Sequence, residues 1–391
     1  MPEKYQHLVV CFEHDDGKPL NVSFEMLGEA RRLMDDYNKK YSTNEKVIAT
    51  ILGHNIKPLC NEAIYHGADA VIFADHQELR YPKIMVDTRI ISSIVKDRKI
   101  ISETAPETSE DYIKPRYMFF GADAIGRHLS STVLAELESG LASDVNKLVV
   151  DDVTLTHEHK TKGKPESYGK ILFMYRPDFS GFLWTQILCL DNKNPEIQRE
   201  YSPQACSITP GVFEPFKRDE NREGRIVEYK PNFSETDLKI RIKKREIIKS
   251  EVPLEDYNAV VAFGRGIRES PEVNIKLIEQ FAKELNAEVA ISLPLSKQPY
   301  NVSQSIKSTY FIPARVVGTS GKKIKPKLYI AIGISGAVQH IVGMKDSDFV
   351  VSINPDENAP IKDESDVFIH GRLEDVLPNL ITSIRKFKGD K

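Results

Sequence analysis

The sequence LYIAIGISGAVQHIVGMKDSDFVVSIN, residues 328–354, decides how the second half of this chain folds. Its first five residues are apolar, which predicts a buried parallel strand. The strand ends at the turn GISG at 333–336, and a helix is predicted from residue 337 to about residue 342. A second apolar run at 349–353 predicts another strand. A helix that starts on a glycine turn after a strand can bind a phosphate group, because its free N–H groups face the anion.

The side chains along this stretch favour a nucleotide cofactor as the ligand. Ser335 can add a hydroxyl donor to the phosphate site. Gln339 and His340 follow about one helical turn later, close enough to reach an attached ring system. The pattern therefore predicts a nucleotide cofactor at the end of the strand.

The composition is that of an ordinary globular protein. The chain has 391 residues, of which 40% are hydrophobic and 28% are charged, and this length is sufficient for two domains. A net charge of −3 gives no indication of a polyanionic partner, so no nucleic acid is expected. No window approaches a membrane span and the N-terminus lacks a signal-peptide pattern. We therefore expect no membrane insertion and a cytoplasmic protein.

The cysteines and histidines do not form a metal-binding pattern. Cys11, Cys60, Cys189 and Cys206 are scattered without the spacing of an iron–sulfur cluster, a zinc site or a disulfide framework. The sequence HEH at 157–159 suggests a metal pair, but the lysines that follow it favour a solvated loop. No bound metal is expected.

Strands and helices alternate along the first part of the chain, which predicts an α/β fold. The predicted strands lie at 7–12, 46–52, 70–74 and 117–120, and the predicted helices at 24–39, 57–66, 84–96 and 125–138. After residue 148 the pattern changes to strands between loops, at 171–175, 183–190, 206–209 and 239–248. A new apolar strand at 259–263 follows a charged stretch, so we expect two domains, 1–250 and 251–391.

Two further glycine turns lie in the second domain. The turn GRG at 264–266 follows the strand, and Arg265 can clamp a pyrophosphate with its planar fork of donors. The alternative is a surface arginine in a tight turn. The motif SPE at 270–272 predicts the start of a helix that ends near residue 285, followed by a strand at 288–292. The turn VGTSGK at 317–322 is either a further part of the site or a polar connector.

Together these turns resemble the FAD-binding domain of the electron transfer flavoprotein alpha subunit. The matching pieces are AFGRGI at 262–267, AIS at 290–292, GTSGK at 318–322, the long block at 328–354, and NAP followed by SD between 358 and 366. Residues 121–144 and 176–215 resemble the family's N-terminal domain. The resemblance implies an N-terminal Rossmann-like α/β domain for subunit association and a C-terminal doubly wound parallel-sheet domain that binds FAD.

The resemblance implies an electron carrier rather than an enzyme with its own substrate. The family's alpha subunit forms a heterodimer with the electron transfer flavoprotein beta subunit, and one FAD lies mainly in the alpha subunit's second domain. Dehydrogenases, such as the acyl-CoA dehydrogenases of fatty acid β-oxidation, reduce this FAD, which passes electrons toward a quinone reductase. The expected partners are thus a stable beta subunit, transient dehydrogenases and a quinone oxidoreductase.

The resemblance also assigns roles residue by residue. The phosphates and the ribityl chain would contact Arg265, Ser292, Ser335 and Gly336. Asn354 would serve the adenosine end, Ser320 would lie near the flavin N5 atom, and His340 would face the pyrimidine carbonyl of the ring. A donor at that carbonyl stabilises negative charge on the reduced ring. The full set of expected FAD-binding residues is Arg265, Ser292, Gly318, Thr319, Ser320, Ser335, Gly336, Ala337, Val338, Gln339, His340, Asn354 and Arg372.

The chain departs from the family pattern near the expected flavin. Leu293 stands where the family places an arginine against the ring, and losing this cation makes reduction harder unless Lys297 or Arg315 replaces it. Val316 and Thr319 stand where the family has glutamines, and Arg372 where it has an acidic residue. The expected consequence is a change in redox potential and in the adenosine contacts, with FAD binding itself less affected.

Other functions remain open from the sequence. The chain can be a subunit of an electron-bifurcating flavoprotein complex or of a dehydrogenase that acts on a small molecule, or FAD can brace a subunit interface without redox turnover. Around the flavin motifs the sequence has no convincing acid–base pair for substrate chemistry, and no catalytic residue is expected. Electron transfer needs no such pair, so a carrier is favoured.

Overall fold

A computed structural model describes the chain over residues 3–157, 163–178, 183–191, 200–246 and 252–389. The chain divides into two compact units, the first ending at Arg245 and the second beginning at Glu246. The predicted domain boundary after residue 250 falls outside the described residues, as does most of the HEH sequence at 157–159.

The first unit is built on a seven-stranded parallel sheet. The described strands of the whole first unit, seven of which form this sheet, are β1 (Tyr5–Cys11), β2 (His14–Asp15), β3 (Lys18–Pro19), β4 (Val47–Gly53), β5 (Ala70–Asp75), β6 (Lys114–Gly121), β7 (Leu141–Val145), β8 (Lys147–Leu155), β9 (Glu166–Asp178), β10 (Leu183–Ile187), β11 (Gln204–Ile208) and β12 (Arg225–Glu228). The main sheet has the order β12-β5-β4-β1-β6-β11-β7, with parallel pairing throughout. β8, β9 and β10 form a separate antiparallel sheet, and β2 and β3 pair as a hairpin.

Helices cover both faces of this sheet. They are α1 (Asn21–Tyr41), α2 (Lys57–Tyr65), α3 (Ile84–Lys96), α4 (Arg98–Thr104) and α5 (Ala124–Glu136). Because alternate strand residues face opposite sides, Leu8 and Val10 of β1 join one buried cluster with α1 and α2, while Val9 joins another with α3, α4 and α5. The unit therefore has two cores, one on each face of the sheet.

The second unit is a six-stranded parallel sheet with the doubly wound strand order. Its strands are β13 (Ala259–Phe263), β14 (Glu288–Ser292), β15 (Val316–Val317), β16 (Leu328–Ile332), β17 (Val350–Asn354) and β18 (Val367–His370). They lie in the order β15-β14-β13-β16-β17-β18, so the chain reverses its direction of winding between β13 and β16. Ligands bind at such a reversal, outside the carboxyl ends of the strands.

The helices of the second unit are α6 (Pro271–Glu284), α7 (Leu293–Lys297), α8 (Gln304–Tyr310), α9 (Val338–Ile341) and α10 (Leu373–Gly389). Ser270 and Pro271 begin α6 as predicted, with proline at the first helical turn. Phe281 of α6 and Leu377 of α10 share one buried cluster with the sheet. Tyr329 of β16 points into the cluster on the opposite face.

The α/β class, the two-part organisation and the short helix after β16 are confirmed, and one local prediction is wrong. The predicted strand at 239–248 is absent from its described part, 239–246, where Ile240 is 68% exposed. Alternation alone does not make a strand when no neighbouring strand is available for pairing. The helix predicted at 337–342 is the single turn α9, so its dipole is small and the phosphate site must rely on individual backbone amides.

In the first unit, side chains of the protein occupy the reversal point between β1 and β6. Oε1 of Glu13 accepts a hydrogen bond from the amide of Gly121 at 2.9 Å. Oδ1 of Asp123 accepts bonds from the amides of Ile125 and Gly126, at 2.9 and 2.8 Å, at the start of α5. These carboxyl groups take the amides that a phosphate would need. Burial first, and then the charge of Asp123, raise the pKa of Glu13 to about 8.

The raised pKa of Glu13 predicts a pH-dependent stability of the first unit. Its proton is held more tightly in the folded state, so this stabilisation is lost as pH rises from about 4.5 through 8. Glu13→Gln carries no such proton. Between pH 5 and 9 its free energy of unfolding should therefore fall less than that of the unaltered protein, and the difference should be on the order of a few kcal/mol. Denaturant unfolding from pH 5 to 9, followed by the fluorescence of Trp184 in β10, measures the difference. Glu136→Gln on the exposed side of α5 is the control, and parallel pH profiles for Glu13→Gln and the unaltered protein would contradict the prediction.

Candidate functional site

A cavity of about 960 Å³ opens at the reversal point between β13 and β16. It lies at the upper end of the ~300–1,000 Å³ range of small-molecule sites. The loops that follow β13, β14, β16 and β17 line it, because the carboxyl ends of parallel strands meet at one edge of the sheet. All of its lining residues belong to the second unit.

Glycines let two of these loops approach each other closely. A Cβ added to Gly266 would lie 2.5 Å from the Cα of Gly333, and one added to Gly264 would lie 2.6 Å from the carbonyl oxygen of Gly333. No larger residue fits either position without displacing backbone. Gly333 also has a φ of +59°, a left-handed conformation that favours glycine. The amide of Gly266 donates to the carbonyl of Gly333 at 3.0 Å and joins the loops.

The loop after β16 presents unused backbone amides. Among the described residues, the amides of Ser335, Ala337 and Gln339 donate to no oxygen, and all three residues are exposed along the cavity. Gly336 has a φ of +83°, and a Cβ there would lie 2.1 Å from the amide nitrogen of Ile361. Its role is thus to turn the chain, which allows that amide to donate to the carbonyl of Ser335 at 3.2 Å. A row of free amides of this kind binds anions.

The turn after β15 lies against the loop that carries His340. The amide of Thr319 donates to the carbonyl of Gln339 at 2.7 Å. A Cβ on Gly318 would lie 2.6 Å from the same carbonyl oxygen, so this position also requires glycine. The contact joins the segments that carry Ser320 and His340, and both residues line the cavity.

His340 is buried and uncharged near neutral pH. Its side chain is 6% exposed, and burial lowers the pKa of the imidazole to about 4. Nε2 lies 2.8 Å from the hydroxyl of Tyr329, while Nδ1 is buried with no hydrogen-bond partner among the described residues. A buried imidazole nitrogen without a partner indicates a group that is to be satisfied by a ligand.

Cations and polar groups surround the opposite part of the cavity. Arg265 and Arg268 line it, are exposed and form no ion pair among the described residues. Arg372 also lines it but is paired with Glu269 and lies 3.8 Å from Glu374. Two unpaired guanidinium groups beside free amides give this part of the cavity the donors that a pyrophosphate requires.

Asn354 braces the site from the end of β17. Its Nδ2 donates to the carbonyl of Ile334 at 2.8 Å, and its Oδ1 accepts a bond from the amide of Asp356 at 3.0 Å. The side chain thereby connects the loop after β16 with the loop after β17. It lines the cavity, but part of its hydrogen-bonding capacity is already used.

The structure brings nearly all of the predicted site residues together. The predicted residues that line the cavity are Arg265, Ser292, Gly318, Thr319, Ser320, Ser335, Ala337, Gln339, His340, Asn354 and Arg372. Gly336 and Val338 do not line it, because the left-handed Gly336 packs against Ile361 and the next turn of chain carries Val338 away. Arg268, Glu269 and Tyr300 also line the cavity but were not predicted from the sequence. Arg268 had a detectable signal, since it lies two residues after the glycine turn.

The cations considered as substitutes for the missing arginine do not reach the cavity. Leu293 lines the wall, whereas Lys297 and Arg315 do not. Arg315 is buried and holds Glu288 at 2.6 Å and the carbonyls of Thr309 and Val289, both at 2.6 Å. Its charge serves the packing of the sheet, so Leu293 leaves its part of the wall uncharged.

This fold and this site define a dinucleotide-binding protein of the doubly wound class. Residues 253–345 match the family described as the electron transfer flavoprotein FAD-binding domain, and residues 8–164 match the electron transfer flavoprotein domain. The chain is 32% identical to the electron transfer flavoprotein subunit alpha of Thermoanaerobacterium thermosaccharolyticum, over 98% of this chain and 99% of that protein. The chain belongs to the electron transfer flavoprotein alpha subunit family.

Other relatives show the range of this family. The protein FixB of Azotobacter vinelandii is 32% identical over 97% of this chain and 91% of its own length. Subunit LctC of the lactate dehydrogenase (NAD(+),ferredoxin) of Acetobacterium woodii is 28% identical over 99% of this chain and 79% of its own length. The relatives named electron transfer flavoprotein subunit alpha are electron carriers, and this chain is an electron carrier rather than a catalytic enzyme.

The residues of the cavity fit FAD, the cofactor of the family's FAD-binding domain. The glycine contacts leave room for a backbone to approach a pyrophosphate, and the free amides and Arg265 can neutralise its charge. The unpartnered Nδ1 of His340 can donate to a carbonyl of a ring system. Within the described residues, no group of three or more metal-ligating side chains is present, and no helix is long and apolar enough to cross a membrane.

Removal of the guanidinium group at the cavity should weaken FAD binding. Arg265 is exposed and unpaired, so Arg265→Gln should leave the fold intact and lose one charge-assisted hydrogen bond, worth about 1.5–3 kcal/mol. The dissociation constant of FAD should then rise by roughly 10- to 100-fold. Titration of the FAD-free chain, followed by quenching of flavin fluorescence, measures this constant. Arg385→Gln, which removes an arginine bound to Glu284 outside the cavity, is the control, and equal constants for both variants would contradict the assignment.

Proposed function

We propose that this chain is the alpha subunit of a cytoplasmic electron transfer flavoprotein. It forms a heterodimer with a beta subunit, accepts electrons from dehydrogenases such as acyl-CoA dehydrogenases, and delivers them toward a quinone reductase. When bound, FAD supplies the redox chemistry, and the chain binds it, orients it and sets the polarity around it. This proposal extends the family membership to the redox partners.

The observation that carries the proposal is the type of polar group in the cavity. Donors line it: the amides after β16, the arginines, and Nδ1 of the buried His340. The carboxylates on its wall lie toward solvent, and Glu269 and Glu374 are engaged with Arg372. Such a site can hold an anionic cofactor and stabilise charge on it, but it lacks a carboxylate positioned to remove a proton from a substrate.

The positions of the lining residues suggest an orientation for the cofactor. The pyrophosphate would lie between Arg265 and the amides of Ser335 and Ala337, where donors and positive charge coincide. The flavin ring would lie toward Ser320 and His340. The adenosine would lie near Asn354, beside the loop that contains Pro355, Asp356 and Pro360.

Exposed residues at the proposed ring end support a beta subunit as partner. Thr319, Ser320 and Gln339 line the cavity and are exposed in the isolated chain. A flavin ring beside them would remain open to water, whereas a second subunit over this end would exclude it. Exclusion of water strengthens the electrostatic control of the flavin potential.

A second candidate is a subunit of an electron-bifurcating complex. The relative from Acetobacterium woodii supports it, because the name of that enzyme includes both NAD(+) and ferredoxin. In the third alternative, FAD braces the subunit interface without redox turnover.

The co-expressed heterodimer distinguishes these functions. A carrier should contain one FAD per heterodimer that is reduced by an acyl-CoA dehydrogenase with its substrate and is not reduced by NADH. Flavin analysis and stopped-flow absorbance measure both properties. Two flavins per heterodimer, with rapid reduction by NADH, would instead establish the bifurcating function. If neither the acyl-CoA dehydrogenase nor NADH reduces the flavin, FAD has only the structural role at the subunit interface.

The uncharged wall at Leu293 predicts a low flavin potential that a single substitution raises. A cation a few ångströms from the ring stabilises the reduced, negatively charged flavin by about 1–3 kcal/mol at an effective dielectric constant near 20. Leu293→Arg should therefore raise the one-electron potential by roughly 40–130 mV. Potentiometric titration of the heterodimer measures the shift. Leu293→Gln has a similar length without the charge and should have a smaller effect, and an equal effect of both substitutions would exclude an electrostatic cause.

A further inference from the structure

The buried hydrogen bond between Tyr329 and His340 controls which nitrogen of the imidazole carries its proton. Tyr329 lies in the middle of the strand β16 and is fully buried among Val260, Ala262 and Ile334. Its hydroxyl oxygen lies 2.8 Å from Nε2 of His340. The pair connects the centre of the sheet to the wall of the cavity.

The protonation states of both groups are fixed by their burial. Burial raises the pKa of the Tyr329 hydroxyl well above its ordinary value, so the phenol keeps its proton. Burial lowers the pKa of His340 to about 4, so the imidazole is neutral and carries one N–H. The pair therefore contains one O–H group, one N–H group and one imidazole nitrogen without a proton. The question is which of the two imidazole nitrogens carries the proton.

Only one arrangement gives the hydroxyl hydrogen of Tyr329 an acceptor. If Nε2 carried the proton and donated to Tyr329, the hydroxyl hydrogen of Tyr329 would need another acceptor. The described residues offer none, since its hydroxyl has no second hydrogen-bond partner among them. An unsatisfied buried hydroxyl costs about 1–3 kcal/mol. The hydroxyl of Tyr329 must then donate to a bare Nε2, and the proton of His340 resides on Nδ1.

A proton on Nδ1 is also consistent with the surroundings of that nitrogen. The carbonyl of Val317 lies near the ring and favours a proton on it. The geometry of that contact does not amount to a hydrogen bond, and Nδ1 is buried without a partner. The N–H is therefore buried and unpaired in a residue that forms part of the cavity wall.

We propose that Tyr329 is a positioning residue that holds His340 in the Nδ1–H form, so that a donor and not a lone pair faces the cofactor. This inference rests on the proposed placement of the flavin ring beside His340. An N–H donor strengthens its hydrogen bond to a ring carbonyl as negative charge develops on reduction, whereas a lone pair would repel the same oxygen. Tyr329 thus acts on the flavin through His340 without contacting it.

Nitrogen chemical shifts of histidine test the tautomer directly. The full-length chain, labelled with ¹⁵N-histidine and purified with and without FAD, should show a protonated Nδ1 and a bare Nε2 at His340. The signal is assigned by its loss in His340→Gln. In Tyr329→Phe, which removes only the hydroxyl, Nε2 should lose its partner and the two tautomers should become mixed. A protonated Nε2 in the unaltered chain would overturn the proposal, and this measurement requires no variant of Tyr329.

The flavin potential separates positioning from packing. In the heterodimer, Tyr329→Phe should lower the equilibrium constant for one-electron reduction by roughly two- to tenfold, the value of one hydrogen bond. Tyr310→Phe is the matched control, because it removes a hydroxyl that binds Glu279 outside the cavity, and it should change neither the tautomer nor the potential. Unchanged tautomer and potential in Tyr329→Phe would overturn the inference. Failure of the heterodimer to accept electrons, with the Nδ1–H form intact, would overturn the proposed function and leave the tautomer assignment standing.

Discussion

The site depends on a close backbone contact that only glycine permits. Gly266 and Gly333 approach so closely that a Cβ on Gly266 would lie 2.5 Å from the Cα of Gly333. This contact joins the loops after β13 and β16 at the point where the winding of the sheet reverses. It brings Arg265 and the free amides after β16 to the same cavity, and it fixes the start of the segment that carries His340. The positions of the anion site and of the buried imidazole both follow from this contact.

The two units show how the same strand arrangement can be open or closed to a ligand. In both, the chain reverses its winding beside the first strand, between β1 and β6 or between β13 and β16. In the first unit, Glu13 and Asp123 accept hydrogen bonds from the amides at that point. In the second unit, the corresponding amides after β16 are free and no carboxylate is bound to them within the described residues. A phosphate is therefore excluded from the first unit, because carboxyl groups already occupy these amides, and it can be accommodated in the second.

The sequence predicted the parts of the site that depend on local patterns. Buried strands such as β13 and β16 are continuous apolar runs, and the glycine turns that follow identify the ends at which a ligand binds. The turn of chain at Gly336 could not be predicted in this way, because the contact with Ile361 joins residues that are distant in sequence. Tyr329 was also inaccessible to sequence reasoning, since an aromatic residue in a strand normally indicates core packing. Its hydroxyl has a role only because α9 brings His340 above the strand.

Hydrogen–deuterium exchange of the full-length chain, with and without FAD, tests most directly whether the second unit's reversal point holds the cofactor. FAD should slow exchange at the amides of 264–266, 318–320 and 333–340, which line the cavity or join its loops. The amides of Gly121, Ile125 and Gly126 in the first unit, which already donate to carboxyl groups, should exchange at the same rate in both samples. Protection confined to the first unit, or absent from the loop after β16, would contradict this account of the site.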